Sequence, residues 1–197
     1  MNKEVSISEG VNEALLALVA ALEARDLFTK DHSTRVAHIV KLLTGKFRMS
    51  DAKKQTIYNA ALLHDIGMVS IPDAILLKNG RLTTDERDLI RHSPEVAAKI
   101  LVSITSLKDE RLMILHQAER WDGDGYPSQL KGTKIPEGSR FIAVAKAIDA
   151  MTKNRSYRRA RPLSYCLDQL KENAGSQFDP QIAKVATSIL CKGLLPD

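Results

Sequence analysis

Apolar positions recur every three or four residues along most of this chain and alternate almost nowhere, which predicts a helical protein. Val11, Leu15, Leu18, Val19 and Leu22 form one such stripe, and Ser8 ahead of it predicts a capped first helix running to about Asp26. Val36, Ile39, Val40 and Leu43 mark a second helix, from about His32 to Phe47. Ser50 and Asp51 open a third, whose apolar run from Ile57 to Leu63 delivers His64 and Asp65 at its end.

From Gly67 to Leu82 the period fails around Pro72, Asn79 and Gly80, which predicts a loop with one helical turn at Asp73 to Leu77. Thr83 or Thr84 starts a short helix ending near His92. Ser93-Pro94-Glu95 then offers an N-cap, a proline at the first helical position and an acidic first turn for a helix to about Val102. Further helices are expected from Leu107 to about Ala118, from Ser139 to Met151 and from Leu163 to Glu172; a last one, capped by Asp179-Pro180, ends near Cys191. Residues 119–138 hold six of the seventeen Gly and Pro residues, the mark of a long ordered loop of the kind that carries function.

Composition narrows the architecture. At 197 residues and 44% apolar, the chain suits one compact all-α, multi-helix domain over residues 1–197, with an N-terminal helix in its first 26 residues. Aromatics are only 5%, so the helices are expected to pack through aliphatic side chains. Lys and Arg number 29 against 24 Asp and Glu, a mild excess that suits an anionic ligand but does not mark a binder of nucleic-acid duplexes. Cys166 and Cys191 lack ligand-like spacing and read as reduced, buried cysteines of a cytoplasmic protein. With no long apolar run, no membrane span is expected.

The adjacent His64 and Asp65 place an imidazole and a carboxylate where both can reach one cation. A histidine at a helix C-terminus is also stabilised by the helix dipole alone, so the pair needs context.

That context is a collinear set of motifs. Thr29-Lys30-Asp31-His32-Ser33-Thr34-Arg35-Val36, His64-Asp65-Ile66-Gly67, Ile71-Pro72-Asp73-Ala74-Ile75-Leu76 and Leu82-Thr83 come first. His92-Ser93-Pro94-Glu95, Glu119-Arg120-Trp121-Asp122-Gly123-Asp124-Gly125-Tyr126-Pro127, Ile135-Pro136, Ala143-Val144-Ala145 and Arg155-Ser156-Tyr157-Arg158 follow. Over about residues 25–190 the pattern resembles the HD-GYP domain. The resemblance implies an HD-superfamily fold with a long GYP loop at Gly125, Tyr126 and Pro127. In active members it also implies hydrolysis of the bacterial messenger cyclic di-GMP by two or three metal ions, usually iron or manganese.

Carried over position by position, the resemblance makes His32, His64, Asp65 and His92 metal ligands, with His64 and Asp65 at the catalytic centre and Asp65 bridging two ions. Four positions depart from it: Gln117 and Ala118 replace paired histidines, Lys146 replaces an aspartate, and Met68 replaces a lysine. Phe28 stands where trinuclear members have a glutamate. His116 and Gln117 are the candidate substitutes for the lost ligands. Arg120, Arg155 and Arg158 match phosphate-contacting positions, with Arg159 and Arg161 nearby.

A lysine among metal ligands adds charge repulsion, and the simplest arrangement has Lys146 pairing with Asp65 in the cation's place. Three readings follow. The first is a catalytically silent domain that binds cyclic di-GMP, a related nucleotide, or a protein such as a diguanylate cyclase domain. The second is a phosphodiesterase with iron, manganese or zinc at a partial site. The third is a structural module that forms homodimers through its N-terminal helix; neither the first nor the third requires a metal.

Overall fold

The computed structural model describes residue 14 and residues 16–25, 31–78, 80–154 and 159–193. The expected cap at Ser8, the stripe residues Val11 and Leu15, Phe28 and the pair Arg155 and Arg158 lie outside the described residues.

The described residues form helices α1 (16–23), α2 (His32–Thr44), α3 (Asp51–Leu63), α4 (Asp73–Leu76), α5 (Thr84–Arg91), α6 (Ser93–Ile100), α7 (Lys108–Leu115), α8 (Glu137–Thr152), α9 (Leu163–Glu172) and α10 (Pro180–Cys191). The fold is all-helical; among the described residues the one extended pairing is a single bridge between Ala174 and Phe178. No described helix is long and apolar enough to cross a membrane.

Local chemistry sets the helix starts. The Ser50 side chain accepts the Lys53 amide at the start of α3. At α5, Thr83 accepts the Glu86 amide while Glu86 accepts the Thr83 amide, a reciprocal capping box. Asp179 caps α10 ahead of Pro180. Each such cap is worth about 1 kcal/mol.

Packing does the rest. Helix α8 buries Phe141, Ile142, Val144, Ala145 and Ile148 against Val36, Val40 and Leu43 of α2 and Ile57 and Ala61 of α3. Cys166 and Leu170 of α9 and Ile182 and Ala186 of α10 belong to the same core. Apart from Phe47 meeting Phe141 edge-on at 5.0 Å, the contacts are mostly aliphatic. Each such fully buried side chain contributes about 1.5–3 kcal/mol. The result is a rigid frame in which the first turn of α2, the end of α3 and the middle of α8 converge.

Several boundaries differ from the expected ones. Helix α2 stops at Thr44, where Gly45 ends it. Helix α7 stops at Leu115 instead of Ala118, because His116 leaves helical geometry at φ −101° and ψ 16°. Residues Ile66–Ser70 wind into a 3-10 turn. Ser93 is the first residue of α6 and not its cap, so His92 sits at the junction of α5 and α6. Cys191 is exposed, contrary to expectation, because it lies at the last turn of α10; Cys166 is buried as expected.

Candidate metal centre

The His64-Asp65 pair sits where α3 gives way to the 3-10 turn. Its backbone is wedged in place: a Cβ on Gly67 would fall 1.9 Å from the Ser93 carbonyl oxygen and 2.8 Å from the Ala97 nitrogen. Only hydrogen fits there, so the turn and α6 meet backbone to backbone. His64 Nδ1 lies 2.7 Å from the Ala61 carbonyl, which accepts its proton and leaves Nε2 facing the site.

His32 is oriented by a longer-range device. In the first turn of α2, its Nδ1 donates to Asp149 Oδ2 at 2.6 Å, while Arg35 Nε donates to Asp149 Oδ1 at 2.6 Å. Burial raises a carboxyl pKa, but the His32 and Arg35 hydrogen bonds outweigh it and hold Asp149 down at about 2. A carboxylate behind a histidine is the arrangement that fixes a metal-binding ring and strengthens its free nitrogen. Burial also opposes a charge on His32, yet the bonds to Asp149 and Asp65 prevail and raise its pKa above the ordinary histidine value.

His32, His64 and Asp65 bring three donor atoms within 4.8 Å of one another. His32 Nε2 stands 3.5 Å from Asp65 Oδ2, and His64 Nε2 stands 3.2 Å from Asp65 Oδ1 but out of hydrogen-bond alignment. His64 Nε2 is thereby the one buried side-chain polar atom without a hydrogen-bond partner among the described residues. Burial, aided by the charge of Lys146, outweighs the Asp65 carboxylate and lowers the His64 pKa, favouring the neutral ring that binds metals. Two imidazoles and a carboxylate, both rings presenting Nε2, fit one divalent cation.

A lysine and an amide stand beside this group. Lys146 reaches in from α8, its Nζ 3.8 Å from Asp65 Oδ1 and donating to Gln117 Oε1 at 2.7 Å. Gln117 Nε2 in turn donates to the His64 carbonyl at 2.6 Å. Burial works against the Asp65 charge, but His64 and Lys146 more than compensate and its pKa falls well below the usual carboxylate value. Gln117 therefore spends both ends of its amide on protein, and Ala118 has no donor to offer.

The other expected ligands lie apart from this group. His92 is exposed, its Nδ1 bonded to the Asp88 carbonyl at 2.7 Å, because the close of α5 turns the ring back on its own helix. His116 is buried, with Nδ1 3.4 Å from Glu119 Oε1. Glu119 organises the GYP loop, accepting the Ser128 amide at 2.7 Å and the Leu130 amide at 3.1 Å. Gly125 is pressed against that stem, where a Cβ would fall 2.3 Å from the Arg120 nitrogen.

A cavity of about 440 Å³ opens over the centre, lined by His32, Asp65, Met68, Arg120, Tyr126 and Lys146 among others. Arg120 is already engaged, its guanidinium forked onto Asp122 at 2.6 and 3.1 Å. Arg91 stands 5.8 Å from the Tyr126 ring centroid, adding positive charge beside the loop. Trp121 anchors the far side, its ring under the Arg140 guanidinium at 5.8 Å.

Sequence reasoning passed over Asp149 and Arg35. A usable signal existed: Asp149 lies three residues after Lys146, on the same face of α8, and Arg35 lies three after His32. Both helices thus carry a second polar residue one turn beyond a site position.

Fold and site together define a helical domain of the HD superfamily in which His32, His64 and Asp65 could hold a metal ion. The model of the HD domain matches residues 17–182, and the chain belongs to that family, in its HD-GYP branch. It is 34% identical over 177 residues to the cyclic di-GMP phosphodiesterase response regulator RpfG of Xanthomonas campestris, covering 89% of this chain and 47% of that protein. It is 34% identical to a cyclic di-GMP phosphodiesterase of Thermotoga maritima, covering 87% and 47%. It is also 31% identical to 3'3'-cGAMP-specific phosphodiesterase 2 of Vibrio cholerae, covering 100% of this chain and 39% of that one. The chain thus spans under half the length of these relatives. Among solved structures, a cyclic GMP-AMP specific phosphodiesterase of V. cholerae shares the fold with TM-score 0.71 at 19% identity, covering 94% of this chain and 51% of that one.

Proposed function

We propose that this chain binds a cyclic dinucleotide in the cavity above Asp65 and that its hydrolytic power is impaired or lost. The observation that carries this reading is the bond between Lys146 and Gln117, which fills with protein the ground a second cation would need. The relatives' printed activities, on cyclic di-GMP and on 3'3'-cGAMP, supply the ligand class.

A cation held by His32, His64 and Asp65 would supply Lewis acidity and an activated water. In-line displacement of a phosphodiester oxygen is best served by a second ion on the leaving group, and here Lys146 offers a single fixed ammonium instead. An ammonium beside Asp65 attracts a phosphate oxygen as a point charge, which favours binding. It does not generate a nucleophile.

The test is a calorimetric titration with cyclic di-GMP in chelator-treated and manganese-loaded buffers, with chromatography of the mixture for the linear dinucleotide. Binding without multiple turnover is expected. Sustained hydrolysis that Asp65→Ala abolishes would overturn the impairment, and no binding in either buffer would overturn the whole reading.

A further inference from the structure

Among the described residues α1 lends no side chain to the metal centre, yet Glu23 in its last turn and Arg25 in the turn that follows hold the backbone on both sides of it. Glu23 Oε2 accepts the Asp31 amide at 2.9 Å and Glu23 Oε1 accepts the Ser33 amide at 2.7 Å. Those amides belong to the N-terminus of α2, the turn that carries His32. Helix α2 has no side-chain cap of its own, since Asp31 lies in the left-handed region at φ 58° and makes none, and its first turn has no acidic residue. A carboxylate from another helix supplies the missing cap.

Two residues on, Arg25 grips the other side. Its Nη2 donates to the Ile71 carbonyl at 2.6 Å and to Asp73 Oδ1 at 2.6 Å, its Nε to the same carboxylate oxygen at 3.1 Å, and its Nη1 to the Met68 carbonyl at 3.2 Å. Met68 lies within the 3-10 turn that begins immediately after Asp65, Ile71 closes it and Asp73 opens α4. Glu23 in the last turn of α1 therefore holds the His32 side of the 3.5 Å gap to Asp65, and Arg25, two residues past it, holds the Asp65 side.

The segment that carries these two residues, 16–25, is lightly seated. Among its described residues Val19 is buried and Leu22 half-buried, while Leu16 and Leu18 are 49% and 41% exposed. A segment with so few apolar contacts opens locally at little free-energy cost. We propose that α1 is a detachable brace: Glu23 and Arg25 are positioning residues that clamp the His32 turn and the turn after Asp65 as one unit, so that displacing α1 loosens both ligands together. This inference stands apart from whether the nucleotide is hydrolysed.

The experiment is amide hydrogen exchange on the full chain, comparing the native protein with Arg25→Ala and Glu23→Gln. The informative amides are those the altered side chain does not touch. Arg25→Ala should speed exchange of the Ser33 amide about tenfold or more, and Glu23→Gln should do the same for the Met68 and Ile71 amides, with core amides of α8 unchanged. The His32 ring nitrogens should shift in both variants, and Arg25→Lys should restore part of the native pattern. If each variant speeds exchange only in the segment its own side chain bonds, or if the α8 core accelerates equally, the brace is overturned.

Discussion

Lys146 Nζ donates to Gln117 Oε1 at 2.7 Å with Asp65 Oδ1 3.8 Å away, so an ammonium and an amide together fill one side of the centre. The opposite side, with His32 and His64 held through their Nδ1 atoms, is built as a metal site is built.

Replacing the ammonium should therefore change metal content in steps. Lys146→Asp adds a carboxylate beside three donors and should hold about one cation per chain on elemental analysis. The triple variant Lys146→Asp, Gln117→His, Ala118→His should hold about two. A triple variant that stays at one would show that the non-helical turn after Leu115 and the exposed ring of His92 keep the second position open.

Asp149 is buried between His32 and Arg35, and truncating it strands both. Asp149→Ala should cost about 3–5 kcal/mol in urea unfolding, because His32 and Arg35 lose the carboxylate they share. Asp149→Asn keeps one acceptor and should cost less.

Gly67 meets backbone, which has no rotamer to move aside. Gly67→Ala should cost about 3 kcal/mol, near the top of the range for overpacking. Gly80→Ala, with nothing within 4 Å of its new methyl group, should fall far below that in the same denaturation assay.

Glu110 gives a pH-dependent expectation. Burial raises its pKa from 4.5, so the folded chain binds this proton more tightly than the unfolded chain does. Stability therefore falls as pH climbs from 4.5 through the raised value. Glu110→Gln should raise the melting temperature at pH 7, with the gain disappearing near pH 4; a gain equal at both values would refute burial as the cause.

The sequence carried the helical fold, the start of a helix at Thr83 or Thr84 and the adjacency of His64 and Asp65, because each is written in neighbouring residues. It also carried the resemblance that named His32. What stayed hidden depends on distance along the chain. The Asp149 clamp joins residues 114 and 117 positions apart, and nothing in either local window announces it. The early end of α7 is similar, since Gln117 leaves the helical path to bond the His64 carbonyl, 53 positions earlier. The exposed ring of His92 is bonded to its own helix, which a motif match does not register.

The close seat of Gly67 against Ser93 and Ala97 has a structural consequence. The frame of this centre is made of main chain, and main chain is indifferent to which side chains hang over the hollow. Side chains over the hollow can therefore be exchanged one at a time while the hollow keeps its outline, so its shape and its chemistry are set by separate parts of the chain.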